Sequence, residues 1–353
     1  MCEISVAIAS YNVAQYIEQC LLSVLNQDFE DYEVLVCDDC STDNSMSIVQ
    51  QIVQHHPNGY KVRIVSSSTN KGTAVIRNNG IDNAKGKYIF FVDGDDYISA
   101  NALSILYAKI QETDVDLVMG DLEKFTENPD GSVTVNKNPY KYQSDTIKSP
   151  YAIAECMRRN HTDFYPLGTV NKLFKKSFLI DNNIRCVPEH SIIEDIYFVF
   201  QTIVKANSIS VVEDVTMYYR QRAGSALHID VREDRMNIYI QVFDQIVNDI
   251  QEMKNQGQVV PVQLYYTLTN RYVSGFVTRN IVNSKLLSKK QKKDYLNHIS
   301  VITRMGIGRK DMIGKSSKIC FGILSLGNRY LLLKWFFGLR VFILSAIRRI
   351  RHL

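Results

Sequence analysis

Apolar and polar residues alternate along the first hundred positions with two different periods. Ile4–Ala9, Tyr32–Cys37, Lys61–Val65 and Lys87–Val92 are short, nearly continuous apolar runs, the pattern of strands buried on both faces. Between the first two, Tyr16, Ile17, Cys20, Leu21, Val24 and Leu25 recur at helical spacing, which predicts a helix over 14–26. Ser41-Thr42-Asp43 reads as the start of a second helix that buries Ile48, Val49, Ile52 and Val53, and 73–84 reads as a third. Strands alternating with helices predict a parallel sheet covered on both faces. Ligands of such sheets bind beyond the carboxyl ends of the strands. Polar clusters fall at those ends: Ser10-Tyr11-Asn12, Asp38-Asp39, Asn70-Lys71-Gly72 and Asp93-Gly94-Asp95-Asp96.

Farther along, 100–111 has the pattern of a helix and 115–120 that of a strand. Residues 128–150 are polar, and Asn128-Pro129-Asp130-Gly131 signals a turn, so a loop or hairpin facing solvent is expected. Residues 149–158 and 191–205 read as helices. Residues 229–312 read as mostly helical, with little that suggests chemistry, and no internal repeat is visible.

The most informative polar cluster is Asp93-Gly94-Asp95-Asp96. It releases three carboxylates at the end of a buried run, with only a glycine to open the turn. Clustered, partly buried carboxylates are costly without a positive partner. A hard divalent cation with oxygen ligands fits, and such a cation commonly brings phosphate. The competing explanation is a solvated acidic turn.

The 353 residues are 45% apolar and 22% charged, an ordinary globular composition with room for two domains. The seven cysteines are scattered and odd in number, which points to a reducing, cytoplasmic compartment. Cys37-Asp38-Asp39-Cys40 has CxxC spacing, but its flanking acids disfavour thiolates and no second pair completes a zinc site. The N-terminus shows no basic n-region or cleavage site.

The net charge of +4 hides an asymmetry. Residues 313–353 hold eight Lys or Arg and no acid, leaving 33 basic against 37 acidic residues elsewhere, a balance of −4. Arg329, Arg340 and Arg351 are 11 residues apart, three helical turns, so on a helix they form a narrow cationic stripe. Leu331, Trp335, Phe336, Phe337, Phe342 and their neighbours fill the remainder. This suits a helix lying in an anionic membrane interface. A spanning helix would place Lys334 and Arg340 in or near hydrocarbon, at about 2.5–3.5 kcal/mol each near the centre. Packing of the tail on the acidic body is the other alternative.

The order and spacing of the clusters resemble family 2 glycosyltransferases with the GT-A fold, over roughly residues 1–225. The carrying residues are Ala9-Ser10-Tyr11-Asn12, Cys37-Asp38-Asp39-Cys40-Ser41-Thr42-Asp43, Asn70-Lys71-Gly72, Arg77-Asn78-Asn79-Gly80 and Phe91-Val92-Asp93-Gly94-Asp95-Asp96. Asn171-Lys172-Leu173-Phe174, Glu194-Asp195 and Tyr218-Tyr219-Arg220-Gln221-Arg222-Ala223-Gly224-Ser225 complete the set. The resemblance implies an α/β fold, a mostly parallel GT-A-type sheet flanked by helices, and the sequence pattern adds a helical C-terminal region with a basic amphipathic tail. It implies a catalytic domain over 1–225, with 1–100 binding the nucleotide-sugar and 101–225 on the acceptor side. A helical region over 226–312 and a membrane-associating tail over 313–353 follow.

The resemblance also implies roles. Ser10, Tyr11, Asn12 and Asp39 contact the nucleotide, although Asp38 and Asp39 can equally cap the helix near Ser41, and Asp43 reads as a cap. Lys71 and Arg77 bring positive charge to the donor, with surface salt bridges as the alternative. Asp95 binds Mn²⁺ or Mg²⁺ directly, Asp93 shares the metal and sugar contacts, and Asp96 touches sugar or acceptor. Asp195 of the Glu194-Asp195 pair is the catalytic base, although acids also favour a helix N-terminus. Arg220 and Ser225 contact the diphosphate. His228 is a metal ligand or simply a loop residue.

The expected activity is inverting transfer of a sugar from a nucleotide-diphospho-sugar, UDP-linked by family frequency, to a hydroxyl of a saccharide acceptor. A lipid-linked acceptor in bacterial surface-polysaccharide assembly suits the tail, as does a peripheral position on the inner face of the plasma membrane. No nucleic-acid partner is expected. Two rivals remain open: a non-catalytic nucleotide-sugar-binding or scaffold subunit, and a nucleotidyltransferase. The latter usually opens with a Gly-rich phosphate loop, and Ser10-Tyr11-Asn12-Val13 is not one.

Overall fold

The buried apolar runs form the centre of one sheet. In chain order the first half comprises β1 (Ile4–Ser10), α1 (Ile17–Leu25), β2 (Tyr32–Asp38), α2 (Ser45–His55), β3 (Val62–Ser66), α3 (Thr73–Asn83) and β4 (Tyr88–Asp93). β1 pairs in parallel with β2 and β4, and β2 in parallel with β3. All of β2 and nearly all of β1 and β4 are buried, as strands covered by helices on both faces must be. This computed structural model describes residues 2–128, 130, 132–136, 143–159, 168–190, 193–221, 233–258, 260–261, 278–299, 323, 330 and 332–333.

The second half comprises β5 (Tyr97–Ile98), α4 (Ala102–Thr113), β6 (Leu117–Glu127), β7 (Val133–Asn136), β8 (Asp145–Lys148), α5 (Ala152–Arg159), β9 (Lys172–Lys175), α6 (Lys176–Asp181), α7 (Glu194–Lys205) and β10 (Ser208–Arg220). The described strands run in the order β3-β2-β1-β4-β9-β6-β10-β5, with β7 on β6 and β8 on β10. β9 is antiparallel to both β4 and β6, whereas β10 is parallel to β6 and antiparallel to β5. The sheet is thus parallel where the periodicity is plain and mixed beyond it. The expected solvent-facing segment at 128–150 contains β7, hairpinned on β6, and β8, laid along β10.

The two faces of the sheet carry different helices. Phe91 of β4 meets Phe198 of α7 and Phe174 of β9 edge to face, with ring centroids 6.1 and 6.2 Å apart. Each such pair contributes about 0.5–1.5 kcal/mol beyond burial. Their packing seats α7 on the sheet, beside α3. On the opposite face, Gln27 just past α1 accepts from the Leu103 N–H of α4 at 3.0 Å and donates to the Ser99 carbonyl at 2.7 Å.

The described residues fall into two compact units, the first reaching Gln221 and the second beginning at Glu233. In the second, α8 (Glu233–Asn255) buries Met236, Tyr239, Val242, Phe243, Ile246, Ile250 and Met253 along one face. Helices Thr278–Asn283 and Lys289–Ile299 follow. Asp244 of α8 pairs with His298 at 2.7 Å. Among the described residues, no helix is long and apolar enough to cross a membrane. The tail expected over 313–353 lies outside the described residues apart from 323, 330, 332 and 333, and every residue of its cationic stripe lies outside them. Every described cysteine is free.

Candidate active site

The chain leaves β4 at Asp93 and turns through Gly94. The Gly94 N–H donates to the Ala9 carbonyl at 2.9 Å. A β-carbon at Gly94 would sit 2.9 Å from that same oxygen, so only glycine lets the turn lie this close to β1. The Asp96 N–H closes the turn on the Asp93 carbonyl at 2.9 Å. Asp96 is buried. Its Oδ1 accepts the Arg220 N–H at 2.8 Å, while Oδ2 has no hydrogen-bond partner. Burial, and then the charges of Asp93 and Asp95, push the Asp96 carboxyl well above the usual range. The turn is therefore crowded with more negative charge than Arg220 offsets.

Arg220 braces this turn from the α1 side of the sheet. Its Nε donates to the Asp95 carbonyl at 2.7 Å, Nη2 donates to Gln19 Oε1, and Nη1 pairs with Glu127. The guanidinium lies over the rings of Tyr16 and Phe125, 4.7 and 4.6 Å from their centroids. The sequence suggested a diphosphate contact for Arg220. In this structure its side chain is buried and engaged with protein groups.

On the other face, Arg77 of α3 joins the acidic turn to α7. Its Nη2 donates to Asp93 Oδ1 at 2.9 Å, and its Nη1 lies 3.4 Å from Glu194 Oε1. This is a buried network rather than a surface salt bridge. Burial alone would lower the Arg77 pKa, but Asp93 and then Glu194 more than reverse that, and the cation is held. Glu194 and Asp195 open α7, where acids favour the helix dipole. Burial raises both carboxyls, Glu194 to about 7 and Asp195 to about 6, with Arg77 pulling each back down. Such neighbours titrate as a pair.

The next residue, Asn78, clamps the segment leading into α7. Its Nδ2 donates to the Cys186 carbonyl at 2.8 Å and its Oδ1 accepts the Cys186 N–H at 3.0 Å. Gln201 of α7 donates to the Arg185 carbonyl at 2.8 Å. Two successive side chains of α3 thus fix where the α7 acids stand. Asn78 belonged to a recognised motif, but its spacing gave no hint of a partner 108 positions away. Tyr16, Gln19 and Glu127 were likewise missed, because only the folded sheet brings them to Arg220.

The remaining nucleotide-side candidates gather at the ends of β1 and β2. Asn12 has a left-handed φ of 50°. Its Oδ1 accepts the Thr42 and Asp43 N–H groups at 2.8 and 3.3 Å, and its own N–H donates to Ser41 Oγ. Asp43 accepts from Ala14 and Ser45 N–H at 3.0 and 2.9 Å. These bonds hold 41–44 as a loop, so α2 begins at Ser45 rather than near Ser41. Asp38 takes the Ser41 N–H, whereas Asp39 accepts the Lys71 and Gly72 N–H groups at 2.7 and 2.8 Å. Asp39 therefore shapes the entry to α3, whose N-cap Gly72 has φ 86°. An ionised carboxylate has about four acceptor sites, so Asp39 keeps capacity for a ligand. Ser10 Oγ is buried without a partner, Tyr11 is 46% exposed, and the Lys71 side chain is exposed. Arg222, Ser225 and His228 lie outside the described residues.

The profile described as Glycosyl transferase family 2 matches residues 5–179, from β1 into α6. The chain belongs to glycosyltransferase family 2. A relative in this family, Glycosyltransferase GlyG of Streptococcus pneumoniae serotype 4, is 29% identical over 255 residues, covering 70% of this chain and 80% of that protein. The Poly(ribitol-phosphate) beta-glucosyltransferase of Bacillus spizizenii is 29% identical over 302 residues, 84% of this chain but only 44% of that protein. A crystal structure of S. aureus TarS 1-349 in complex with UDP-GlcNAc superposes with a TM-score of 0.68 at 21% identity, covering 95% of this chain and 91% of that one. The family's GT-A fold is therefore the fold of this chain.

A metal is part of the chemistry that the family resemblance implies. Among the described residues, no three His, Cys, Asp or Glu side chains form a group able to hold one. Mg²⁺-type cations bound with diphosphates take only one or two carboxylates from protein, the rest from phosphate and water. Asp93 and Asp95 supply hard oxygen donors of that kind, and beside them the buried Asp96 Oδ2 has no hydrogen-bond partner. The donor set fits such a cation.

Proposed function

We propose that this protein is an inverting transferase that moves a sugar from a UDP-sugar to an acceptor hydroxyl by a single displacement. The observation that carries this is the ion-pair chain from Asp93 through Arg77 to Glu194, which ties the acidic turn to the start of α7 in a family 2 chain. The turn is where a donor diphosphate belongs, beyond the carboxyl end of β4. Asp195 is the group to take the proton from the acceptor oxygen as it attacks C1 of the donor sugar. A raised pKa suits a base working near neutrality. Burial raises it, Arg77 pulls it back down and Asp93 raises it further.

Asp93 and Asp95 would hold Mn²⁺ or Mg²⁺ on the diphosphate, and such a cation would offset the charge on the departing nucleoside diphosphate. Asp39, with Ser10 and Tyr11, would face the nucleoside. The relatives named for poly(ribitol-phosphate) support a bacterial surface polymer or its lipid-linked precursor as acceptor. The basic, apolar sequence of 313–353 supports a peripheral position on the cytoplasmic face of the membrane. Asp195→Asn tests the assignment: UDP-sugar binding should persist while turnover falls about 100- to 10,000-fold. Undiminished turnover would remove Asp195 from the role.

A further inference from the structure

The strand β10 ends in three residues that the pleat sends to opposite faces of the sheet. Tyr218, Tyr219 and Arg220 pair in regular register with Glu123, Lys124 and Phe125 of β6, past the irregularity at Val211–Met217. Tyr218 stacks on Tyr97 of β5, with ring centroids 4.7 Å apart. Arg220 turns toward Gln19 and Tyr16, on the α1 side. Alternation therefore places Tyr219 on the other face, which is that of Asp93, Arg77 and the α7 acids. The hydrogen bond from the Arg220 N–H to Asp96 Oδ1, at 2.8 Å, pins the Tyr219–Arg220 peptide against the acidic turn. Tyr219 is half-buried, and the Lys124 ammonium lies 6.0 Å from its ring centroid.

Burial, and then the charges of Asp93, Asp96, Asp95 and Asp195, push the Tyr219 phenol up, so its O–H remains a donor throughout the working pH range. Arg77, on the same face, pairs with Asp93 and Glu194. In a single displacement, only one thing stands between the leaving diphosphate and the base-held acceptor: the transferred sugar.

We propose that the Tyr219 hydroxyl hydrogen-bonds the transferred sugar of the donor, holding its ring between the Asp93–Asp95 turn and Asp195. This rests on the UDP-sugar transferase reading and names a contact within it. A hydroxyl aimed at a sugar oxygen reads the hexose and ignores the nucleotide. The contact therefore separates affinity for a UDP-sugar from affinity for UDP.

Titration calorimetry of the full chain with UDP, UDP-glucose, UDP-galactose and UDP-N-acetylglucosamine, in Mn²⁺, tests this on wild type and Tyr219→Phe. The expected result is about a 10-fold weaker affinity for the preferred UDP-sugar, with UDP affinity unchanged. Thermal melts check that the variant is folded. Equal UDP-sugar affinity in wild type and Tyr219→Phe would overturn the proposal. So would a loss shared equally by UDP. If wild type binds neither UDP nor any of the three UDP-sugars, the transferase reading itself fails, and the sugar contact with it.

Discussion

Arg77 donates from Nη2 to Asp93 Oδ1 at 2.9 Å, and the same guanidinium lies 3.4 Å from Glu194. One buried cation thus serves acids from two elements, the end of β4 and the start of α7. Removing one member of such a network leaves buried charge uncompensated and costs about 3–5 kcal/mol. Arg77→Leu should lose stability of that order in urea at pH 8. At pH 5 the loss should shrink, because Glu194 and Asp195, raised to about 7 and about 6, are then largely neutral. Equal losses at both pH values would mean that the network does not carry the charge assigned to it.

The same shifts set the pH dependence of the wild type. Both acids release their protons later in the folded chain than in the unfolded one. Between about pH 4 and 7 the unfolded state therefore holds fewer protons, and stability falls as pH rises. Activity runs the other way. The base must be ionised, so kcat/KM should climb with pH along an acid limb centred near 6. An acid limb at an ordinary aspartate value would show that Asp195 is not the group being titrated.

Asn78 is expected to act through position rather than contact with substrate. Asn78→Ala removes both hydrogen bonds to Cys186 and should cost about 1–3 kcal/mol of stability. It should lower kcat more than it raises the KM for the donor, because the α7 segment loses its clamp while the acidic turn does not. A pure donor KM effect would contradict this division.

Gly94→Ala probes the turn itself. The added carbon would meet the Ala9 carbonyl at 2.9 Å, and a strand backbone yields little. A displacement of the carboxylates by a fraction of an ångström to an ångström should reduce turnover by about 100-fold. The apparent Mn²⁺ requirement should rise with it. An unaltered metal titration curve would place the metal elsewhere.

The first hundred residues were legible because their strands are buried on both faces and their helices keep a clean period. The strand ends Ser10, Asp39 and Asp93 could be placed from sequence for that reason. β10 was not, since Glu213 and Asp214 interrupt its apolar pattern where the ladder to β6 is irregular. β9 was hidden by brevity, four residues beginning with a buried lysine. The α2 boundary was misplaced because Asp43 and Ser45 look like caps but spend their side chains on the backbone of 13–14 and on each other. Arg77 was visible as a charge. That it ties Asp93 to Glu194 is a fact of tertiary structure, carried by no local pattern.

The central claim is tested most directly by incubating the purified chain with UDP-, GDP- and dTDP-sugars, in Mn²⁺, in Mg²⁺ and in EDTA, and identifying the nucleotide released. The account predicts metal-dependent release of UDP from one or a few UDP-sugars, abolished by EDTA and by Asp95→Asn. Release of pyrophosphate, or the absence of both turnover and metal-dependent nucleotide binding across the panel, would contradict it.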